Sequence, residues 1–126
     1  SNDELIGSGD LVNINIIFRL KHLTDAAYAE NLSIILGSLI EKHPKNFLLA
    51  LEENVDTVKL LGGILGNLGP QFVDKLDLQI VELKKRYKAL EEVEAVNELV
   101  KELCLTKIEL EICRIEKNIM EFNYTE

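Results

Sequence analysis

The side chains of this sequence that could do acid–base chemistry centre on its two histidines, His22 and His43. His22 stands three positions before Asp25, and a histidine oriented by a carboxylate can act as a general base. No serine or cysteine is placed so as to complete a nucleophilic arrangement with this pair. Both histidines also fall at the ends of predicted helices, where the helix dipole stabilises a histidine. This structural role is the better interpretation. We therefore assign no catalytic residue and keep an enzyme of unknown reaction, using His22 with Asp25 or His43, as an alternative.

Patterns that bind metals or cofactors are missing from the sequence. Zinc sites need Cys or His ligands at short spacings, and the chain has neither a Cys-x-x-Cys pair nor clustered histidines. Its two cysteines, Cys104 and Cys113, are nine positions apart on one predicted helix, which is too far for a disulfide. The sequence predicts two buried free thiols, no metal and no cofactor.

The most unusual local pattern is the glycine segment 62–69, Gly-Gly-Ile-Leu-Gly-Asn-Leu-Gly. It is not a phosphate-binding loop, because no Gly-Lys-Ser/Thr follows, nor a dinucleotide fingerprint, because no strand precedes it. On a helix, Gly62 and Gly66 leave a bare strip that another backbone can approach. Each interior glycine costs roughly 1 kcal/mol relative to alanine, so a compensating contact is expected. Tight packing against a neighbouring helix is predicted, with a hinge or a partner groove as alternatives.

A basic cluster, Lys-Lys-Arg-Tyr-Lys, occupies 84–88 and resembles a phosphate-binding patch. Acidic side chains surround it at Glu82, Glu91, Glu92 and Glu94. A solvated helix end is therefore the better interpretation of this cluster.

Composition limits the class of protein. The chain has 126 residues, of which 47% are apolar and 29% charged, as expected for one globular domain. Its formal charge of −8 is spread evenly over both halves, which argues against a nucleic-acid binder or a ligand of anionic membranes. A basic protein partner is compatible with this charge. No apolar run reaches the roughly 20 residues of a membrane span.

Apolar residues recur at helical spacing between clear stop signals, and no stretch alternates as a strand would. A helix break is predicted near 89–92, where the basic cluster 84–88 is followed by Glu91, Glu92 and Glu94. Basic residues stabilise the C-terminus of one helix, and acidic residues stabilise the N-terminus of the next. The predicted helices are 10–22, 24–43, 44–53, 54–68, 71–89 and 92–122.

These elements predict an all-α protein, an antiparallel helical-hairpin bundle or a short α-α stack of about six helices. Residues 1–9 are predicted to be a flexible lead-in, with Ser1 and Asn2 typical of residues left by tag removal, and 10–126 form one domain. The last two helices are expected to form a hairpin through facing apolar stripes, which comprise Leu76, Ile80, Leu83 and Tyr87 on one helix and Val96, Val100, Ile108 and Ile112 on the other.

We predict a non-enzymatic helical protein-interaction domain: an adaptor, an inhibitor or immunity-type protein, or a dimerising protein. The partner would be a protein, basic in charge, or a second copy; a small lipid- or ligand-carrying bundle is a further alternative. The fourth helix is expected to be the least stable and to supply the partner-binding residues, which are Leu61, Gly62, Gly63, Ile64, Leu65, Gly66 and Leu68. A cytoplasmic location is slightly favoured, and an exported mature domain follows instead if a signal segment has been removed.

Overall fold

The computed structural model describes residues 9–23, 26–54, 61–94 and 96–125 of the chain. Within these ranges all regular structure is helical and no strand occurs, so the predicted all-α class is confirmed. The described ranges contain six α-helices, namely α1 Leu11–Leu23, α2 Ala26–Lys42, α3 Pro44–Glu53, α4 Leu61–Leu65, α5 Leu76–Glu91 and α6 Glu98–Thr125.

The first three helices pack on one another. Pro44 opens α3 as predicted, because its missing N–H is not needed in a first turn. Phe47 of α3 meets Phe18 of α1 with ring centroids 5.9 Å apart, and both side chains are fully buried. Asn54 ends α3 and binds α1, donating from Nδ2 to Asn15 Oδ1 at 2.6 Å. α1 and α3 are therefore joined at both the apolar core and the polar edge.

Helices α5 and α6 form the predicted antiparallel hairpin and are the most extensively packed pair. The break near 89–92 is confirmed, because α5 ends at Glu91. The predicted start of α6 at 92 is wrong: the helix begins at Glu98, where Asn97 Oδ1 accepts hydrogen bonds from Leu99 N–H and Val100 N–H at 3.0 and 3.2 Å. An asparagine cap outweighs the favourable charge of the earlier glutamates. Val96 consequently lies in the connection and not on the helix stripe.

The chain between α4 and α5 differs from the prediction. The described part of α4 ends at Leu65 and not at 68, while 55–60 lie outside the described residues. Gly69 has φ +92°, after which Pro70–Phe72 form a single 3₁₀ turn. Asp74 has φ +64°, a left-handed conformation that cannot continue a helix. For this reason α5 begins at Leu76 and not at 71.

The two cysteines have different environments. Cys104 is a buried free thiol, as predicted, and burial raises its pKa to about 12. Cys113 is exposed, so the prediction of two buried thiols is wrong. Nine residues correspond to half a helical turn beyond two full turns, so one side chain faces the solvent when the other faces the core.

Candidate functional site

The apolar side chains of α4 point into the core. Leu61, Ile64 and Leu65 are at most 1% exposed, and α4 packs against α2 and α6. Leu68, beyond the end of the helix, is half-buried against the same core. Leu61, Ile64 and Leu65 are therefore occupied by the fold itself, and an exposed apolar patch formed by these three residues is not found. Leu68 also borders an open groove.

The opposite face of α4 is bare. Gly62 and Gly63 are exposed, and a Cβ atom built on either would meet no atom of the described residues within 4 Å. The predicted tight packing against a neighbouring helix is therefore wrong at these two positions. At Gly66 a Cβ atom would lie 3.2 Å from the carbonyl oxygen of Gly62 and 3.5 Å from Glu111 Cγ of α6. Close packing against α6 holds for Gly66 alone.

An open groove of about 370 Å³ lies over this bare face. Gly62, Gly63 and Gly66 line it together with the α4–α5 connection and with one side of α6. Val73, which is 62% exposed, contributes the most accessible apolar surface. The remaining lining is largely polar and comprises Glu30, Asn67, Gln79, Glu111 and Arg114, with Leu68, Gly69 and Phe72 beside them.

Hydrogen bonds fix the shape of the groove. Asn67 Nδ2 donates to Glu30 Oε1 at 2.9 Å, which ties the end of the glycine segment to α2. Gln79 Nε2 donates to the Phe72 carbonyl at 2.7 Å, which holds the connection against α5. On the opposite rim, the Arg114 guanidinium donates to both oxygens of Glu111, at 2.5 and 3.1 Å. The lining of the groove is therefore held in part by hydrogen bonds between separate segments of the chain.

Arg86 belongs to the basic cluster that was predicted to be solvated, but it is buried against the end of α4. Arg86 is 5% exposed, and its Nη1 donates to the Leu65 carbonyl at 2.7 Å, so it caps the last turn of α4. Burial lowers the pKa of Arg86, and the nearby Glu41 and Glu82 oppose this effect. The signal was present in the spacing: Leu83, Arg86 and Leu90 follow the three- and four-residue steps of one buried helix face.

Glu41 and Glu82, which lie beside Arg86, line a second open cavity of about 270 Å³. Burial and the facing Glu82 raise the pKa of Glu41, while Lys85 and Arg86 act in the opposite direction. Lys85 Nζ lies 3.0 Å from Glu82 Oε1. Paired carboxyl groups can transfer protons, but acid–base catalysis needs a water-excluded site. Since Glu41 is exposed, this cluster is a surface charge network.

The candidate catalytic histidines are placed at helix ends. His43 precedes α3, and its ring packs against Gly9, whose carbonyl accepts a hydrogen bond from Asn46 Nδ2 at 3.0 Å. Gly9 is buried and has φ +78°, a conformation that favours glycine. His43 thus joins the chain before α1 to the α2–α3 corner. The His22 side chain, Asp25 and the remainder of the predicted lead-in 1–9 lie outside the described residues.

No three His, Cys, Asp or Glu side chains in the described ranges are grouped so as to hold a metal ion. None of the helices described is both long enough and apolar enough to cross a bilayer. Comparison with protein-family models, curated proteins and solved structures found no match. Function must therefore be inferred from the geometry of the chain itself.

Proposed function

We propose that this chain is a non-enzymatic helical protein-interaction domain whose partner binds in the groove over α4. The observation that carries the proposal is the bare face formed by Gly62 and Gly63. Neither glycine is required by close packing, since a Cβ atom would fit at both positions. Neither has the positive φ that would call for glycine, in contrast to Gly9 and Gly69.

These two glycines have an energetic cost in the isolated molecule. A glycine within a helix destabilises it by about 0.5–1 kcal/mol relative to alanine, because it loses more backbone freedom on folding. No contact inside the described fold offsets this cost. A bare helix face does allow another backbone to come closer than any side chain would permit, so a bound partner would supply the missing contact.

The lining of the groove indicates the chemistry of the partner. Val73 offers an apolar contact, while Glu30 and Glu111 place acidic groups near the glycines. Arg114 pairs with Glu111 and offsets its charge, so the acidic character of the lining comes from Glu30. Together with the net charge of −8, this favours a protein segment with a small or apolar residue flanked by basic ones.

A selection with random displayed peptides on the whole chain tests the proposal. We expect enriched peptides to be basic and to bind at least about tenfold more weakly when Gly62→Leu and Gly63→Leu fill the groove. Asn118→Leu is the matched control, because Asn118 is exposed on α6 and does not line the groove. Circular dichroism would verify that each variant keeps its helices.

Peptides that bind the filled variant as tightly as the original chain would overturn the proposal. The same conclusion would follow if Asn118→Leu weakened binding as much as the groove substitutions.

A further inference from the structure

A second exposed surface runs along α6, on the side away from the core. Three large apolar side chains are exposed there, namely Leu99 at 83%, Leu110 at 63% and Met120 at 72%. Between them lie three further exposed residues at the same helical phase: Thr106, Cys113 and Lys117. We call these six residues the α6 stripe.

The α6 stripe has the spacing of a coiled-coil seam. From Thr106 its members follow in steps of four, three, four and three residues, and Leu99 lies one heptad before Thr106. Leu103 occupies the remaining position of the pattern and is half-buried. The buried face of the same helix is centred on Ile108 and Ile115, about half a turn away from the stripe. A second helix could therefore lie on the stripe without meeting α5.

Between 102 and 116 the charges beside the α6 stripe are sorted by sign. On one edge lie Glu102, Glu109 and Glu116, and on the other lie Lys107 and Arg114. In a parallel pair of helices each residue on the first edge faces the residue five positions later on the other edge of its partner. Glu102 then faces the partner's Lys107. Glu109, which also accepts a hydrogen bond from Tyr87 of α5, faces the partner's Arg114, which also pairs with Glu111 of its own helix.

An antiparallel pair would bring like charges together. In that arrangement the two glutamate edges face each other and so do the two basic edges, and like charges across such an interface oppose association. The parallel pair leaves one unfavourable match, between Glu116 and Glu121, with Lys117 beside it. A single lysine at a seam position is tolerated, and it fixes register at a cost in stability.

We infer that α6 pairs with α6 of a second copy of this chain as a parallel, in-register, two-stranded coiled coil. The two-fold axis of the dimer passes along the α6 stripe and places the two Cys113 thiols opposite each other. This surface is separate from the glycine groove except for Arg114, which borders both. The dimer can therefore be tested independently of the proposed function.

Thiol cross-linking distinguishes a parallel pair of α6 helices from an antiparallel pair. Diamide accepts two electrons and two protons from two Cys113 thiols and leaves a disulfide, which requires Cα atoms within about 7 Å. We expect rapid covalent dimer formation for the original chain and for the variant with Cys113→Ser and Thr106→Cys. In an antiparallel pair Thr106 would lie opposite Lys117, and two residues at position 106 would be about 16 Å apart. That variant would then stay monomeric on gels.

Two controls accompany the cross-linking. Asn118 is exposed but lies off the stripe, so Cys113→Ser with Asn118→Cys measures cross-linking by random collision. Leu110→Glu should shift the chain to monomer in sedimentation equilibrium without loss of helix, since Leu110 is exposed in the monomer and makes no core contact.

Charge reversal tests the edges. Glu102→Lys or Lys107→Glu alone should weaken dimerisation about tenfold, because each change makes two attractive pairs repulsive. The double variant should restore the original affinity. A chain that remains monomeric up to about 0.5 mM overturns the inference, as does equal cross-linking at Asn118 or a dimer that Leu110→Glu leaves unchanged.

Discussion

Arg86 of α5 connects this helix to α4 through one hydrogen bond from a buried guanidinium. Its guanidinium is buried between α2 and α4 and reaches the carbonyl of Leu65, the last residue of α4. Gly37 makes room for it, since a Cβ atom there would lie 3.0 Å from both terminal guanidinium nitrogens. A buried charge that keeps a helix end satisfied contributes more when intact than any exposed ion pair on this surface.

Replacing Arg86 with methionine should lower the free energy of unfolding by about 2–3 kcal/mol, because the Leu65 carbonyl would lose a charged donor in a buried site. Urea unfolding followed by circular dichroism measures the change. Lys84→Met is the matched control, since Lys84 is exposed on the same helix, and it should change stability by less than about 0.5 kcal/mol. Equal effects of the two substitutions would contradict the role assigned to Arg86.

The Glu41 carboxyl should give stability a dependence on pH. Burial and Glu82 raise its pKa in the folded chain, so the protonated form is favoured by folding. The stability that protonation of Glu41 contributes is fully present below the pKa of Glu41 in the unfolded chain. It is lost as pH rises through the raised pKa of Glu41 in the folded chain. Glu41→Gln should therefore stabilise the chain at neutral pH, by no more than about 1 kcal/mol for so exposed a group.

The gain from Glu41→Gln should vanish in acid, where Glu41 is protonated in both states. Unfolding curves at several pH values would show this, with Glu52→Gln, an exposed position on α3, as the reference. A gain that does not change with pH would contradict the assignment.

Among the elements, α4 combines the most buried apolar face with the least favourable backbone. Its leucines and isoleucine lie in the core, whereas its glycines face water. The helix is therefore held in place by its neighbours and not by its own propensity. The side proposed to face a partner is consequently the side whose glycines make no side-chain contact with the described fold.

Gly62→Ala with Gly63→Ala should stabilise the chain by about 1–2 kcal/mol and slow amide hydrogen exchange at 62–66 relative to α6. Space is available for both methyl groups. Gly37→Ala is the matched control and should destabilise the chain, because its Cβ would lie 2.8 Å from the Asn67 carbonyl oxygen. If the two alanines left exchange at 62–66 unchanged, backbone propensity would not be what limits α4.

At the scale of the whole molecule, apolar periodicity predicted the class and the hairpin of α5 and α6. It failed where a boundary depends on one polar contact, as at Asn97, or on one left-handed residue, as at Asp74. The position of a residue around the helix axis also indicates whether it is buried. Cys113 lies on the opposite side of α6 from the buried Cys104, and Arg86 lies on the same face of α5 as the buried Leu83 and Leu90. Whether the glycines of α4 face a neighbour or solvent depends on packing between distant segments, which spacing along the chain does not encode.

The sequence predicted that the glycine segment belongs to the candidate site, but it did not predict the other residues that line the groove. The glycine segment lines the groove, yet the charged rim comes from α2 and α6, which are distant in sequence. Glu30 and Arg114 carry no local pattern that would join them to Gly62. Only the folded arrangement brings these residues to one surface.

The way the helices pair along the chain has a kinetic consequence. α1 packs on α2 and α3, and α5 packs on α6, so most partners are close in sequence and little loop entropy opposes their meeting. α4 lies between α2, made earlier, and α6, made later. During synthesis its leucines cannot be fully covered until α6 has left the ribosome and folded back. α4 thus has apolar surface that stays open in a nascent chain until α6 folds back, and a chaperone could bind it there.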